Sequence, residues 1–516
     1  MSAPTRKLGS RDYLLAVFSA VVLVLAFPRF DVEALAFVAL VPLLVAFEGL
    51  TVRQGLGLGY LFGVHWIAFL LYWISPATTP GFIAAVLYVA VFYGLFGALY
   101  VAARRYGRVP VIIAAPVLWT AAEWLRSLGY FAFPWGLLAH SQYKWNLLIQ
   151  IVDLTGVWPL SLAVVAINVL VYYVLKDYRH VATWLRAAGA AAGIIGVLCL
   201  YGALARVTPD EGPPLRVAVI QPNIDQDLKW DPAYREQNMD ILVRLTFEAM
   251  DEDADFIIWP ETATPFYLFE NAYYREMVFD VAERTGVPLL TGTVERKPRP
   301  DVVRGHDMYR FNAGVLISPH REVLGRYAKV RLVPFGEHIP WDHDLPAISE
   351  TLFTGSGDFT PGPGWDIIDA GDFDFGLSIC YEAVFPEINR EQTRRGADFL
   401  VNITNEAWFG RTNAPYQTMA AEVFRAVENR SWLVRAANTG VTCFIDPNGR
   451  IVRKSKIYIR NQITDDVYPR RYLTFYARYG DWFAYLVAAA AALICGWTAF
   501  AAGKAFWLLR RRTGGH

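Results

Sequence analysis

Two patterns of hydrophobicity divide the chain. Through about residue 205 the apolar residues run in long stretches, near 13–28, 34–50, 56–75, 81–103, 109–126, 147–175 and 187–205. A further stretch extends from about Trp482 to Ala502. A helix needs roughly 20 mostly apolar residues to cross a bilayer, so about eight transmembrane helices are expected, seven before a central segment and one after it. The first two stretches are short and read as two spans joined by the turn Pro28-Arg29-Phe30-Asp31. Arg6-Lys7 ahead of the first run is like the start of a signal peptide. No small-x-small cleavage pattern follows, so an uncleaved anchor is expected.

From Leu215 the chain changes to short β-rich runs. Leu215–Ile220, Phe256–Trp259, Leu289–Gly292, Gly314–Ile317, Gly376–Ile379, Phe399–Ile403, Leu433–Ala437 and Thr442–Ile445 read as strands. Helical patterns cover 235–251, 272–285 and 414–431, and Asn448-Gly449 is a hairpin turn signal. Mixed strands and helices predict a layered α/β domain. Its long irregular stretch, about 326–366, is rich in Gly, Pro and aromatic residues, and loops of that length usually serve function. The expected domains are therefore 1–205, membrane; 206–480, water-soluble; and 481–516, a last span with a basic tail.

Charge sharpens this division. The whole chain of 516 residues has 48 Lys+Arg against 48 Asp+Glu, yet residues 1–205 hold 13 basic and 7 acidic side chains, and residues 206–480 hold 31 and 40. A nucleic-acid binder with a basic surplus and a disordered tail are both excluded. With a cytoplasmic N-terminus, the inside segments carry fourteen basic residues, Arg6, Arg53, Arg104 and Arg510 among them, against Arg29, Arg126 and Lys144 outside in the first half. The positive-inside rule then puts 206–480 outside the cytoplasm and both termini within it. The predicted spans are nearly bare of ionisable groups, which argues against a transporter with a sensing domain. His65 reads as hydrogen-bonded packing, and Glu123 with Arg126 as an ion pair near a span end.

Candidate chemistry lies at strand ends of the soluble part. Cys443 falls inside a strand-like run and reads as a small buried hydrophobe, whereas Cys380 ends the run Gly376-Leu-Ser-Ile, where α/β sites form. Trp259-Pro260-Glu261 ends another strand, and Lys329 precedes the turn-bounded loop Val333-Pro-Phe-Gly-Glu337. A thiol needs a base to give a thiolate, and an ammonium can stabilise both thiolate and oxyanion. Neither a disulfide framework nor a metal-ligand spacing is present in the sequence, and no cofactor is expected.

The ordered set Trp259-Pro-Glu261, Lys329 and Cys380-Tyr-Glu382 resembles the nitrilase, or carbon–nitrogen hydrolase, superfamily. Seven spans before such a domain and one after it are similar to the bacterial apolipoprotein N-acyltransferase family. Gln221-Pro-Asn223, Lys229-Trp230-Asp231, Asn405-Glu-Ala-Trp408-Phe-Gly410, Glu123-Trp-Leu-Arg126 and Phe133-Pro-Trp135 support the match. The resemblance implies a nitrilase-like αββα sandwich inserted in a polytopic helical membrane domain of the bacterial inner membrane, with the catalytic domain periplasmic. It implies Glu261 as general base, Lys329 as oxyanion stabiliser and Cys380 as nucleophile, with Trp230, Glu337, Tyr381 and Glu382 in support. Glu406 departs from it, standing where the family usually has Asp.

The implied reaction passes a fatty acyl chain from a phospholipid, phosphatidylethanolamine above all, through a Cys380 thioester. The acceptor is the α-amine of a diacylglyceryl-apolipoprotein. The rival is a membrane-tethered amidase or esterase that releases the acyl group to water or another amine. The loop aromatics Tyr267, Phe269, Tyr273, Phe335, Trp341 and Phe353 are expected to dip into lipid.

Overall fold

The computed structural model describes residues 6–303, 306–338 and 359–513. It divides into two compact units: Met1–Ser75, Thr79–Ala205 and Asp481–His516 in one, and Arg206–Gly480 with Pro76–Thr78 in the other. Trp341 and Phe353 lie outside the described residues.

The first unit is helical. Among the described residues, Thr79–Gly107, Trp158–Lys176, Val181–Ala205 and Trp482–Leu508 are long and apolar enough to cross a membrane, while Glu33–Ala46 and Val111–Leu125 are shorter apolar segments. Ser10–Leu25 and Val52–Leu70 are also helical. Two expected spans are interrupted. The 34–50 stretch folds as a 3-10 turn, Glu33–Phe37, followed by the short helix Val41–Ala46. The 147–175 stretch breaks at Gly156, at φ 68°, and becomes regular only over Trp158–Lys176. Asn168 bridges the first interruption: its Nδ2 donates to Ala36 O at 2.8 Å, and its Oδ1 accepts from Leu40 N at 2.8 Å.

The Glu123/Arg126 ion pair is not formed. Arg126 instead donates to the carbonyls of Phe133, Trp135 and Gly136 (2.6, 2.7 and 3.1 Å), and Glu123 accepts from Leu138 N at 2.9 Å. The irregular backbone after the helix Val111–Leu125 cannot satisfy itself in apolar surroundings, so the two side chains bind it rather than each other. His65 is satisfied locally, with Nδ1 2.8 Å from Leu61 O.

The second unit is two sheets faced by helices. One sheet runs β13-β1-β2-β4-β5-β6 with β3 beside β4, and the other runs β12-β11-β10-β9-β8-β7. In chain order these are β1 Leu215–Gln221, β2 Phe256–Ile258, β3 Thr264–Tyr267, β4 Leu289–Val303, β5 His306–Ile317, β6 Val323–Ala328 and β7 Ile367–Asp369. They continue as β8 Asp374–Ile379, β9 Phe399–Thr404, β10 Leu433–Ala437, β11 Cys443–Ile445, β12 Ile451–Lys454 and β13 Asn461–Val467. Alternation sorts the side chains. On β1, Val217 and Val219 enter the inter-sheet core with Leu377, Ile379, Val401 and Val434. Ala218 and Ile220 face the other way, onto Met239 and Leu242 of the helix Arg235–Met250 and Val278 of the helix Ala272–Thr285. The helices Pro386–Arg394 and Ala414–Asn429 pack beside the second sheet. This is the expected αββα sandwich, and Asn448-Gly449 does turn β11 into β12, with Gly449 at φ 79°.

The core leaves little room between the sheets at β5. A Cβ on Gly314 would run into the Leu377 side chain and stand 3.4 Å from Ile403 Cδ1. Gly314→Val should therefore overpack the interface and cost about 1–3 kcal/mol. The purified protein's unfolding temperature should fall by several degrees; an unchanged value would mean that the sheets have slack there.

Candidate active site

Three strands, β2 and β6 of one sheet and β8 of the other, lead into the residues of the site. Glu261 follows β2 after Trp259-Pro260, Lys329 follows β6, and Cys380 follows β8. The Lys329 amide donates to Asn312 O on β5 at 2.8 Å. Its buried ammonium lies 2.8 Å from Glu337 Oε1 and 3.9 Å from Glu261 Oε1. Asn312 Nδ2 joins the carboxylates, donating to Glu261 Oε1 at 2.7 Å and to Glu337 Oε1 at 3.1 Å. The second oxygen of Glu261 accepts the Asn405 N–H at 2.7 Å, and that of Glu337 accepts the Val333 N–H at 2.9 Å.

Cys380 sits in left-handed backbone, φ 53°, at the start of the 3-10 turn Cys380–Val384. Such a conformation is uncommon for a side chain of this kind and turns the residue out of the strand's alternation. Glu382 holds the turn. Its carboxylate accepts N–H groups from Ile379 (2.8 Å), Val330 (2.8 Å) and Arg331 (3.0 Å), and the Tyr327 hydroxyl at 3.0 Å. One buried carboxylate thus fastens the cysteine turn to the backbone just after Lys329 and to the Tyr327 side chain just before it. Burial pushes Glu382 up to about 7, against the pull of those backbone donors.

The electrostatics follow from burial and proximity. Burial raises Glu261 above the ordinary carboxylate value while the Lys329 charge opposes it. For Lys329 burial works downward, but Glu337, Cys380 and Glu261 outweigh it and hold the ammonium charged. The Cys380 thiol is pushed up to about 12 by burial and by the Glu261 charge, with Lys329 opposing. Cys380 nevertheless keeps partial exposure, whereas Cys443 is buried. The resting arrangement is a protonated thiol beside a carboxylate of raised pKa and a fixed cation, a set able to move a proton off sulfur and to steady an oxyanion.

Of the supporting residues, Glu337 touches Lys329 directly and Glu382 acts through the backbone. Tyr381 is half-buried with its ring edge-on to Phe385 at 4.9 Å. Trp230 is exposed and lines a neighbouring cavity of about 510 Å³. Its neighbour Lys229 donates from Nζ to the Glu261 carbonyl at 3.0 Å, and burial lowers that ammonium to about 8. Of the aromatics expected in loops, Tyr273 lies in the helix Ala272–Thr285 and is exposed, while Tyr267, which ends β3, and Phe269 are half-buried under the guanidinium groups of Arg296 (3.8 Å) and Arg326 (4.4 Å).

Asn312 escaped sequence reading. Its signal was a polar residue within β5 between Phe311 and Ala313, on the inward face that also carries Gly314 and Leu316. Glu406 forms a closed buried pair with Arg435 at 2.7 Å, and Arg435 also binds Glu422. The departing side chain is accommodated there, one residue from the Asn405 amide that holds Glu261.

Residues 216–459 match the family model described as carbon-nitrogen hydrolase, and residues 19–170 match the apolipoprotein N-acyltransferase N-terminal domain. The apolipoprotein N-acyltransferase of Geobacter metallireducens is 36% identical over 94% of this chain and 94% of its own length. The chain belongs to the apolipoprotein N-acyltransferase family. Proteins of the same name from Chlorobaculum tepidum (31% identical; 92% of this chain, 94% of that one) and Pseudomonas aeruginosa (30%; 92% and 93%) are similar along nearly the same extent. In this acyltransferase-family chain the two matched stretches fall one in each structural unit, apart from Pro76–Thr78, and the Glu261, Lys329 and Cys380 cluster lies within the carbon–nitrogen hydrolase match.

The Glu261 turn leans on Gly292 of β4. A Cβ there would stand 2.5 Å from Pro260 O and Thr262 N and 2.7 Å from Glu261 Cα, all of them backbone. Gly292→Ala should displace the carboxylate and lower acyl transfer by about 10²-fold, the scale of an ångström-sized misplacement, while the protein still folds. Retained activity in a folded variant would show that the carboxylate's position is not critical.

Proposed function

We propose that the chain completes lipoprotein maturation by two acyl transfers at Cys380. In the first, Glu261 takes the thiol proton as sulfur attacks the sn-1 ester carbonyl of a phospholipid, phosphatidylethanolamine in particular. Lys329 faces the oxyanion. Collapse of the intermediate breaks the ester C–O bond, Glu261 returns the proton to the leaving oxygen, and a lysophospholipid departs from a Cys380 thioester. In the second transfer the α-amine of a diacylglyceryl-apolipoprotein attacks the thioester carbonyl. Glu261 takes the amine proton, the C–S bond breaks, and the thiolate is reprotonated.

One observation carries this reading: the partly exposed Cys380 stands in the field of a buried Lys329 that is bound between Glu261 and Glu337. A base with a raised pKa suits proton transfer in both directions near neutrality. Tethering also fits, since both substrates are anchored in lipid and meet the site at high effective concentration only if it is held at the membrane. We further propose eight spans arranged seven plus one, residues 206–480 on the periplasmic side of the inner membrane, and both termini in the cytoplasm. The asymmetry of basic residues between alternate connections supports that topology.

The test is covalent. Purified protein incubated with phospholipid alone should gain an acyl group on the peptide containing Cys380. Cys380→Ala should abolish both adduct and transfer, whereas Cys443→Ala should leave them. Equal loss in two folded variants would refute the assignment, and rapid fatty-acid release without adduct would favour a hydrolase. The pH dependence has a definite sign. Glu261 must be ionised to accept the thiol proton and its pKa is raised, so thioester formation should decline as pH falls, with a midpoint above the ordinary carboxylate value of 4.5. A midpoint at or below that value would remove Glu261 from the role of base.

A further inference from the structure

The cavity beside the catalytic cluster has a composition that the acyl-transfer chemistry does not use. Trp230, Phe266 and Tyr267 form its aromatic walls, and Arg235, Arg310 and Glu270 bring charge to it. Several of its wall residues adjoin the cluster along the chain or across the sheet. Asn312 and Arg310 alternate along β5 and so share a face, and Val294, directly opposite Asn312, lines the cavity as well. Phe359, another wall residue, donates its N–H to Glu337 O at 2.9 Å, and Thr360 N donates to Arg310 O at 2.6 Å. Trp230 adjoins Lys229, whose ammonium grips the Glu261 carbonyl.

The charges in this cavity do not balance. Glu270 is bound by Arg296, so that pair is neutral. Arg235 has its guanidinium over the rings of Phe266 (5.9 Å) and Tyr274 (5.7 Å), and among the described residues neither it nor Arg310 has a carboxylate partner. A stacked guanidinium keeps its N–H edges available, and its planar fork matches the oxygens of phosphate. The stacked Arg235 and the wall residue Arg310, in a cavity of about 510 Å³ with aromatic rings in its walls, suit one anionic group carrying organic substituents.

We propose that this cavity binds the phosphodiester of the acyl donor's head group, with Arg235 and Arg310 as its ligands. The assignment rests on the acyl-transfer reading for its choice of ligand. It makes the donor's phosphate, rather than its acyl chain, the feature that lets the site distinguish a phospholipid from a neutral diacylglycerol.

The experiment compares two donors with the same acyl chains, a phospholipid and a diacylglycerol, by the rate of Cys380 adduct formation in the full-length protein. The double variant R235Q/R310Q should raise KM for the phospholipid about ten-fold or more, while kcat and the rate with diacylglycerol stay as in the wild type. R321Q, which alters a surface arginine paired with Glu276 and Glu283, should change neither. An unaltered phospholipid KM in the double variant overturns the proposal. So does competition by millimolar inorganic phosphate in the wild type that vanishes in the double variant with the phospholipid preference intact, because the cavity would then hold a free anion. Direct binding of a non-cleavable ether phospholipid keeps the question separate from catalysis. Weaker binding to the double variant supports the cavity assignment even if no adduct forms in any protein, a result that would sink the transfer reading alone. Equal binding to wild type and variant overturns the assignment.

Discussion

A buried ammonium is the constraint around which the candidate active-site cluster is organised. Lys329 is almost wholly enclosed, and a lone cation in that position would cost several kcal/mol of desolvation or lose its proton. Two carboxylates, Glu261 and Glu337, keep it charged, and each requires donors of its own. Asn312, the Asn405 amide and the Val333 amide supply them. The cluster therefore has more negative than positive charge before the thiol ionises. Burial first, and then the Glu261 charge, holds Cys380 protonated, with its pKa up to about 12. In the proposed mechanism the nucleophile is therefore stored as a thiol and is ionised only as its proton moves to a neighbouring carboxylate.

The sandwich makes this cluster possible because its inner face is apolar until it reaches the strand ends. On β5 the inward residues read Leu316, Gly314, Asn312 and Arg310, passing from core through a glycine to a hydrogen-bonding amide and then to a cation beside the cavity. Gly314 lets the facing sheet approach at Leu377, two strand positions before the residue that precedes Cys380. The same close approach recurs at Gly292, where β4 meets the Glu261 turn. Packing and chemistry are thus successive positions on the same strands.

Much of this could be read from residue order. Runs of β-branched and aliphatic residues marked β1, β8, β9 and β10 because both faces of each are covered. Leu289–Gly292 and Gly314–Ile317 marked only the buried ends of β4 and β5, because β4 continues through Glu295, Arg296, Lys297 and Pro298, which break the apolar alternation, and the Tyr309, Phe311, Ala313 alternation of β5 is interleaved with Arg310 and Asn312. The expected edges were missed for a similar reason: Ile451–Lys454 is largely exposed and Asn461–Val467 buries residues in no regular alternation. Glu261, Lys329, Glu337 and Cys380 were legible from their places at strand ends and from resemblance. Asn312 was not, since a single amide in a strand has no pattern of its own.

Ionisable residues in apolar surroundings pose the remaining problem, because sequence alone does not separate those that hold a fold from those that do chemistry. The partners do separate them. Glu123 and Arg126 bind backbone that leaves a helix, Glu382 binds three amides at the cysteine turn, and Lys229 binds one carbonyl. Each of these charges substitutes for missing secondary-structure hydrogen bonds, so its value lies in geometry. Arg435 with Glu406 and Glu422 is charge bound to charge, but all three are sealed from solvent and can meet no substrate. Among the described residues, the Glu261, Lys329 and Glu337 set is the one whose charge-to-charge contacts lie close to a partly exposed cysteine, Cys380. The proposed cationic cavity follows the same logic: Arg235 and Arg310, which among the described residues bind no carboxylate, keep hydrogen bonds for a ligand.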